Sequence, residues 1–152
     1  EYCRAAQADG LIRRIGLSSH QRPLAAQMAA SGLLDVLMIR YNAAHRGCET
    51  EIFPVTDERK MGVIAYTALR WGALMAATPD DPPGFQVPPA ASWYRFVLQS
   101  KSLAVVLAAP HDRSELNADL ALLDVEGPLE AAEFQRLAAH GARVRRHAGP
   151  FP

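Results

Sequence analysis

The feature that most constrains this chain is a series of short apolar runs, each ending in polar residues and each followed by helix-forming sequence. The clearest is 34–39, LDVLMI, nearly continuous in apolar character, the pattern of a strand buried on both faces in a helix-covered parallel sheet. Similar runs at 13–17, 63–66 and 103–108 predict three more strands. Between them the sequence predicts helices at 1–9, 23–31, 49–59, 93–100, 114–123 and 129–140. Gly10, Gly32 and Gly141 are read as helix stops, Ser92 and Asp112 as N-caps, and Pro23 and Pro128 as residues near helix starts. Pro54 should distort or break its helix. Strands alternating with helices imply an α/β fold with parallel pairing. Four strands fit either a small open doubly wound sheet or half of an eight-stranded (β/α)8 TIM barrel, which takes about 250 residues. Pattern alone does not choose between them.

Composition narrows the function classes. A hydrophobic fraction of 49% excludes intrinsic disorder. Lys and Arg balance Asp and Glu at 16 each, against the basic excess of nucleic-acid binders, so no nucleic acid is expected as a partner. No apolar run approaches the roughly 18 residues that would span a membrane. Two cysteines, Cys3 and Cys48, make neither a disulfide framework nor a metal motif, and a reducing, cytoplasmic setting is expected. The chain is read as a single unit over 1–152, with an irregular loop at 78–90 that carries five prolines and is of functional length. The basic tail 143–147 is expected to be solvated. Opening inside a helix at Glu1, the chain reads as cut from a longer one.

Ligands of parallel α/β folds bind at the carboxyl ends of the strands. Those ends read Ser18-Ser19-His20, Arg40-Tyr41-Asn42, Tyr66-Thr67 and Ala109-Pro110-His111. Hydroxyl, amide and aromatic groups there suit a nucleotide or sugar-like ligand, although strands also simply exit into polar loops. Self-contained chemistry is not evident. Gly-rich phosphate loops are missing, and GLSSH is not a nucleophile elbow, which needs glycine two residues either side of the serine. His45, His140 and His147 lack a helical metal spacing and read as surface or structural residues. Glu49 and Glu51 fall on different helix faces.

Three segments in order, 10–20 (GLIRRIGLSSH), 35–42 (DVLMIRYN) and 62–69 (GVIAYTAL), followed by helix 93–99, strand 103–108 and Leu116 and Leu120, resemble the aldo/keto reductases. The resemblance covers nearly the whole chain, least well in the proline loop. It implies an (β/α)8 barrel that binds NADP, with NAD the other candidate, and reduces a small-molecule aldehyde or ketone by hydride transfer. It places this chain on strands 5–8, the C-terminal half. The family's catalytic Asp, Tyr, Lys and His belong to the other half and match no residue here, so the chain alone is expected to be inactive.

The resemblance further implies part of a cofactor site. Ser18 and Ser19 match the pair that hydrogen-bonds the nicotinamide carboxamide, with Ser19 where Asn is usual. Met38 stands where many members carry Gln, which removes a carboxamide contact. Tyr66 matches the aromatic that stacks on the nicotinamide, and Thr67 and Leu69 match the loop along the pyrophosphate. Ala109, His111, Glu115 and Asp119 fall at the adenosine-phosphate end, where the usual Glu-Asn pair reads Ala118-Asp119. Arg113 and Arg70 are the guanidinium candidates for a 2′-phosphate. The competing expectations are a non-catalytic half-barrel that holds a nucleotide or self-associates through open barrel edges, and an unrelated open-sheet domain binding a metabolite.

Overall fold

A computed structural model describes residues 1–147 and 149. Four parallel strands, β1 (Gly16–Ser19), β2 (Val36–Arg40), β3 (Gly62–Tyr66) and β4 (Val105–Val106), lie side by side in chain order. A doubly wound sheet reverses strand order at a switch point. Sequential order without reversal is that of a barrel wall.

Burial alternates along the central strands. Leu37, Ile39, Val63 and Ala65 are completely or almost completely buried, whereas Val36, Met38, Arg40, Gly62, Ile64 and Tyr66 stay half-buried. One face of the sheet therefore packs against helices while the other stays open. The helices are α1 (Tyr2–Ala8), α2 (Arg22–Ala30), α3 (Cys48–Glu51), α4 (Phe53–Glu58), α5 (Ala90–Leu98), α6 (Arg113–Leu120) and α7 (Ala131–His147). Ala25 and Ala29 of α2, small enough for close approach, are fully buried in this layer. Further along, Trp93, Phe96 and Val97 of α5 and Leu137 and Val144 of α7 complete the core. Phe96 and Phe134 stack at 4.8 Å between α5 and α7, an arrangement that adds to the area term. The fold is thus part of a (β/α)8 barrel, a parallel wall with helices outside. Among the described residues, no helix is long and apolar enough to cross a membrane.

Several sequence expectations shift. The first strand runs 16–19 rather than 13–17, because the parallel ladder with β2 begins at Gly16, and Ser18 and Ser19 lie within it. Helix 49–59 divides at Ile52 into α3 and α4, with Pro54 in the first turn of α4. Ser92 is not an N-cap: α5 starts two residues earlier, behind the extended Pro89. The fourth strand shrinks from 103–108 to two residues. Asp112 does cap α6, its carboxylate accepting the Glu115 N–H at 2.9 Å.

The largest departure is at the C-terminus. Gly141 does not stop its helix, and α7 continues through the basic segment 143–147. Gly141 is there because the helix lies against the loop after β2: a Cβ would collide with the carbonyl group and Cβ of Ala43. The basic residues are anchored too. Arg143 Nε lies 2.6 Å from Asp81, and Arg146 and His147 each reach Asp80 at 2.8 Å. Asp81, only 8% exposed in its side chain, also accepts from Thr78 N at 2.6 Å and meets His140 Nδ1 at 3.0 Å. His140 in turn stacks on Phe85 at 4.9 Å. The proline loop is thereby pinned to α7, and Trp93 Nε1 donates to Pro88 O at its other end.

Two outcomes are expected. In an open helix, Gly→Ala would stabilise by up to about 1 kcal/mol. At Gly141 the backbone collision reverses the sign, and Gly141→Ala should destabilise by about 1–3 kcal/mol in urea unfolding. Burial opposes the charge on Asp81, but the Thr78 N–H, His140 and Arg143 outweigh it and hold the carboxyl well below its ordinary range. A carboxyl depressed in the folded state contributes stability above its unfolded pKa near 3.9 and loses it as pH falls further. Thermal stability should drop on acidification below about pH 4, and Asp81→Asn should remove that share of the pH dependence while destabilising the neutral-pH protein.

Candidate functional site

The strand register arranges the part-exposed face in rows. Ser18 pairs with Met38, Met38 with Ile64, and Ile64 with Val105. In-register residues of parallel strands point to the same side, so these four side chains form one row. Two residues nearer the carboxyl ends, Arg40 pairs with Tyr66 and forms the next. Ser18, Met38 and Tyr66 therefore share the open face. Ser19 is in register with buried Ile39 and turns to the helical side. Its hydroxyl oxygen accepts from Gln21 N at 3.1 Å, closing the turn into α2.

Tyr66 is held from both sides. Its hydroxyl donates to Ser19 O at 3.2 Å, and the His20 ring meets it edge-on at 5.3 Å and 71°. Partial burial raises its phenol pKa, with the Arg40 charge opposing. The phenol is neutral at physiological pH, an anchored aromatic surface.

Beyond Tyr66 the chain makes a strained turn. Thr67, Arg70 and Trp71 have φ of 56°, 49° and 51°, followed by Gly72 at 82°. Left-handed backbone is costly for non-glycine residues and persists where surrounding contacts determine it. Asn42 supplies such contacts. It is completely buried, and its Nδ2 donates to Thr67 O at 2.8 Å. Its Oδ1 accepts from Ala44 N and His45 N, both at 3.0 Å. One side chain thus ties the loop after β2 to the loop after β3. Leu69 packs against the core, and Trp71 stands 60% exposed.

Arg70 is almost buried, and its Nε donates to His45 Nε2 at 3.1 Å. Burial, together with the charges of Arg40, Arg70, Arg145 and Arg22, pushes the His45 pKa down to about 4. At neutral pH His45 is an uncharged imidazole able to accept from Arg70.

The remaining sequence candidates lie elsewhere. Ala109 is exposed in the loop leaving β4. His111, also exposed, contacts Glu115 through Nδ1 at 2.9 Å and through its backbone N–H at 2.7 Å. Asp119 is buried in α6 against Tyr94 of α5; burial raises its pKa, opposed by the Tyr94 hydrogen bond. Its side chain is not brought to the strand ends. Arg113 is the exposed first residue of α6. Among the described residues, no group of His, Cys, Asp and Glu could hold a metal ion. A cleft of about 810 Å3 lies at the amino end of the sheet and includes Asp35, Val36, Arg59 and Gly62. It is an open hollow between strand-entry loops, remote from Tyr66.

Sequence reading missed the Asn42 clamp and the arginines around His45. Asn42 directly follows a strand, a position that hints at a loop-bracing amide, but the arginines come from four separate segments. Asn42→Ala would leave the Ala44 and His45 N–H groups and the Thr67 carbonyl without this partner. It should destabilise by about 2–3 kcal/mol, with circular dichroism melts as the measure.

No protein-family profile and no curated protein matches this chain. Solved structures do. The chain is similar to aldo-keto reductase AKR11C1 from Bacillus halodurans, in its holo form at 18% identity and TM-score 0.72, with 90% of this chain and 53% of that one covered. The apo form gives the same identity and score with 54% of that chain covered. The chain spans about half the length of these structures and has the fold of about half an aldo-keto reductase barrel.

Proposed function

We propose that this chain is the cofactor-side, C-terminal half of an NAD(P)H-dependent aldo-keto reductase, corresponding to strands 5–8. The single observation that carries the reading is the placement of Tyr66. It lies on the open face at the carboxyl end of β3, in the row beyond Ser18 and Met38, with its hydroxyl tied back to Ser19. An anchored aromatic with a polar rim suits a flat heteroaromatic ring.

The residues fit the nicotinamide end of such a cofactor better than the adenosine end. Tyr66 offers a stacking surface, and the Ser18 hydroxyl can donate to or accept from a carboxamide. Met38 in the same row offers only a thioether. Thr67 and Leu69 belong to the strained turn, whose shape the Asn42 clamp maintains before any ligand arrives. At the far end, Ala109 and His111 remain accessible, whereas Asp119 faces Tyr94. These residues do not favour NADP over NAD.

Bound dihydronicotinamide supplies a hydride for reduction of an aldehyde or ketone. The chain's own contribution is to support one face of the ring, leaving the other for a substrate, and to hold the loops around it. No residue here is assigned the proton donor, because Tyr66 is the stacking residue. A second reading, a half-barrel that self-associates, is favoured by Val105, Met38 and Ile64 on the part-exposed face and by the edge strands β1 and β4.

NADPH binding, followed by fluorescence titration, should weaken by about tenfold or more in Tyr66→Ala, the scale of a lost ring stack. The chain alone should not oxidise NADPH in the presence of 4-nitrobenzaldehyde. Unchanged affinity in Tyr66→Ala would exclude the proposed ring site, and turnover by the chain alone would show that it carries its own proton donor.

A further inference from the structure

We propose that His140 is a proton-operated fastener: carrying both ring protons, it ties the proline loop and the turn after β3 to α7, and losing one of them lets the loop go. The side chain is completely buried, yet both of its nitrogens face acceptors. Nδ1 lies 3.0 Å from an Asp81 carboxylate oxygen, and Nε2 lies 3.2 Å from the Leu74 carbonyl oxygen. A neutral imidazole has one N–H and one lone pair and can serve one of these contacts; the imidazolium donates in both directions. A proton on Asp81 offers no way round. That carboxylate also accepts from Thr78 N and Arg143 Nε, and these donors keep it ionised.

The surroundings suit a charged ring. Phe85 of the proline loop stacks on it at 4.9 Å and 19°, and Trp93 of α5 lies at 5.6 Å, within the range at which an aromatic face attracts a cation. Asp81 is the ionised group in contact with the ring. Arg143, one turn further along α7, shares that carboxylate, and Asp80 with Arg146 and His147 forms the next ionic group outward. Arg136, one turn earlier, is exposed. The titratable groups of α5 turn elsewhere, Tyr94 to Asp119 and Arg95 to Glu133. The loop after β2 brings the Ala43 carbonyl against Gly141, and its His45 is turned to Arg70.

Loss of one ring proton aims a lone pair at a buried acceptor. The charged partner retains Nδ1–H, so Leu74 O loses its donor. Leu74 belongs to the short turn Ala73–Met75, which closes the strained segment: Leu74 N donates to Leu69 O at 3.3 Å and Ala73 N to Arg70 O at 3.1 Å. Phe85 meanwhile no longer rests on a cation. The sign of the pH dependence follows. His140 fastens the loop at lower pH and releases it as pH rises through its own titration, whereas Asp81 fastens it above the carboxylate range and releases it below. The loop is closed between those limits, and one proton also sets the stiffness of the turn that carries Thr67 and Leu69.

Two readings on the full chain between about pH 5 and pH 9 test this. Nitrogen NMR of the His140 ring counts its protons. Chymotrypsin cleavage after Phe85, normalised at each pH to a free peptide of the same loop sequence, reports the loop. The expected result is two ring protons with slow cleavage at the acid end, and one proton with cleavage faster by about tenfold or more at the alkaline end, on a shared midpoint. His140→Phe, which keeps a ring between Phe85 and Trp93 but has no N–H, should be cut at the fast rate throughout. His147→Gln should retain the pH step. A single ring proton with a closed loop at the acid end overturns the proposal, as does a ring that keeps both protons throughout. Cleavage that ignores the titration, or a step that vanishes in His147→Gln, overturns it equally. Should His140→Phe fail to fold, the parent chain and His147→Gln decide alone. No cofactor enters the test, so its result stands apart from the reductase reading.

Discussion

Everything in this molecule depends on the parallel register of β1, β2 and β3. Once Ser18, Met38 and Ile64 are fixed side by side, alternation decides which residues enter the helical layer and which remain open. A slip of one residue in β2 would send Leu37 and Ile39 to the open face and bury Arg40 without water. The apolar penalty of that exchange locks the register, and the site inherits its geometry from it. No separate device is needed to bring Tyr66 and Arg40 together.

The second organising element is the loop 41–47. The Asn42 amide joins it to Thr67, Ala43 leaves room only for a glycine in α7, His45 receives Arg70, and Gly47 carries Arg22. Tyr41 continues the pattern beneath: its hydroxyl donates to Glu49 at 2.7 Å, and Arg46 completes the pair with Nε at 2.7 Å. Burial, then the Glu49 contact, push the Tyr41 phenol pKa far above its usual range, so it remains a neutral donor. Seven consecutive residues thus connect two strand ends, the N-terminus of α2 and the C-terminal helix. The strained turn at 67–72 is held largely from this side.

The order of strands and helices was legible because it is written in local periodicity, as at 34–39 and 62–66. The barrel-like order became visible only with the sheet, since sequence alternation is the same in a doubly wound fold. Boundaries moved where a tertiary contact overrides local preference. Gly141 resembles a helix stop by composition, yet it is interior because Ala43 lies against it. Ser92 resembles a cap, yet the extended backbone at Pro89 lets the helix begin earlier. Tyr66 could be singled out from its place at the end of an apolar run. The arginines whose charges act on His45 could not, because residues 22, 40, 70 and 145 are unrelated in sequence and come near it only through folding. Asp119 shows another limit: the resemblance marks the position, but its burial against Tyr94 is set by tertiary packing.

The two-residue length of β4 sets a gradient across the wall. Its ladder to β3 is extended by the Ala104 and Leu107 N–H groups, each donating at 2.9 Å to the neighbouring strand, whereas β2 is paired with β1 over Val36 to Ile39 and with β3 along its whole length. Amides at this edge should exchange with solvent through small local openings, while those of β2 should exchange only when most of the structure opens. The end of the wall nearest His111 can therefore loosen without disturbing the Tyr66–Arg40 row. Adaptation there, by substitution or by insertion after β4, carries little penalty for the rest of the fold, and the same freedom is denied to the loop that Asn42 holds.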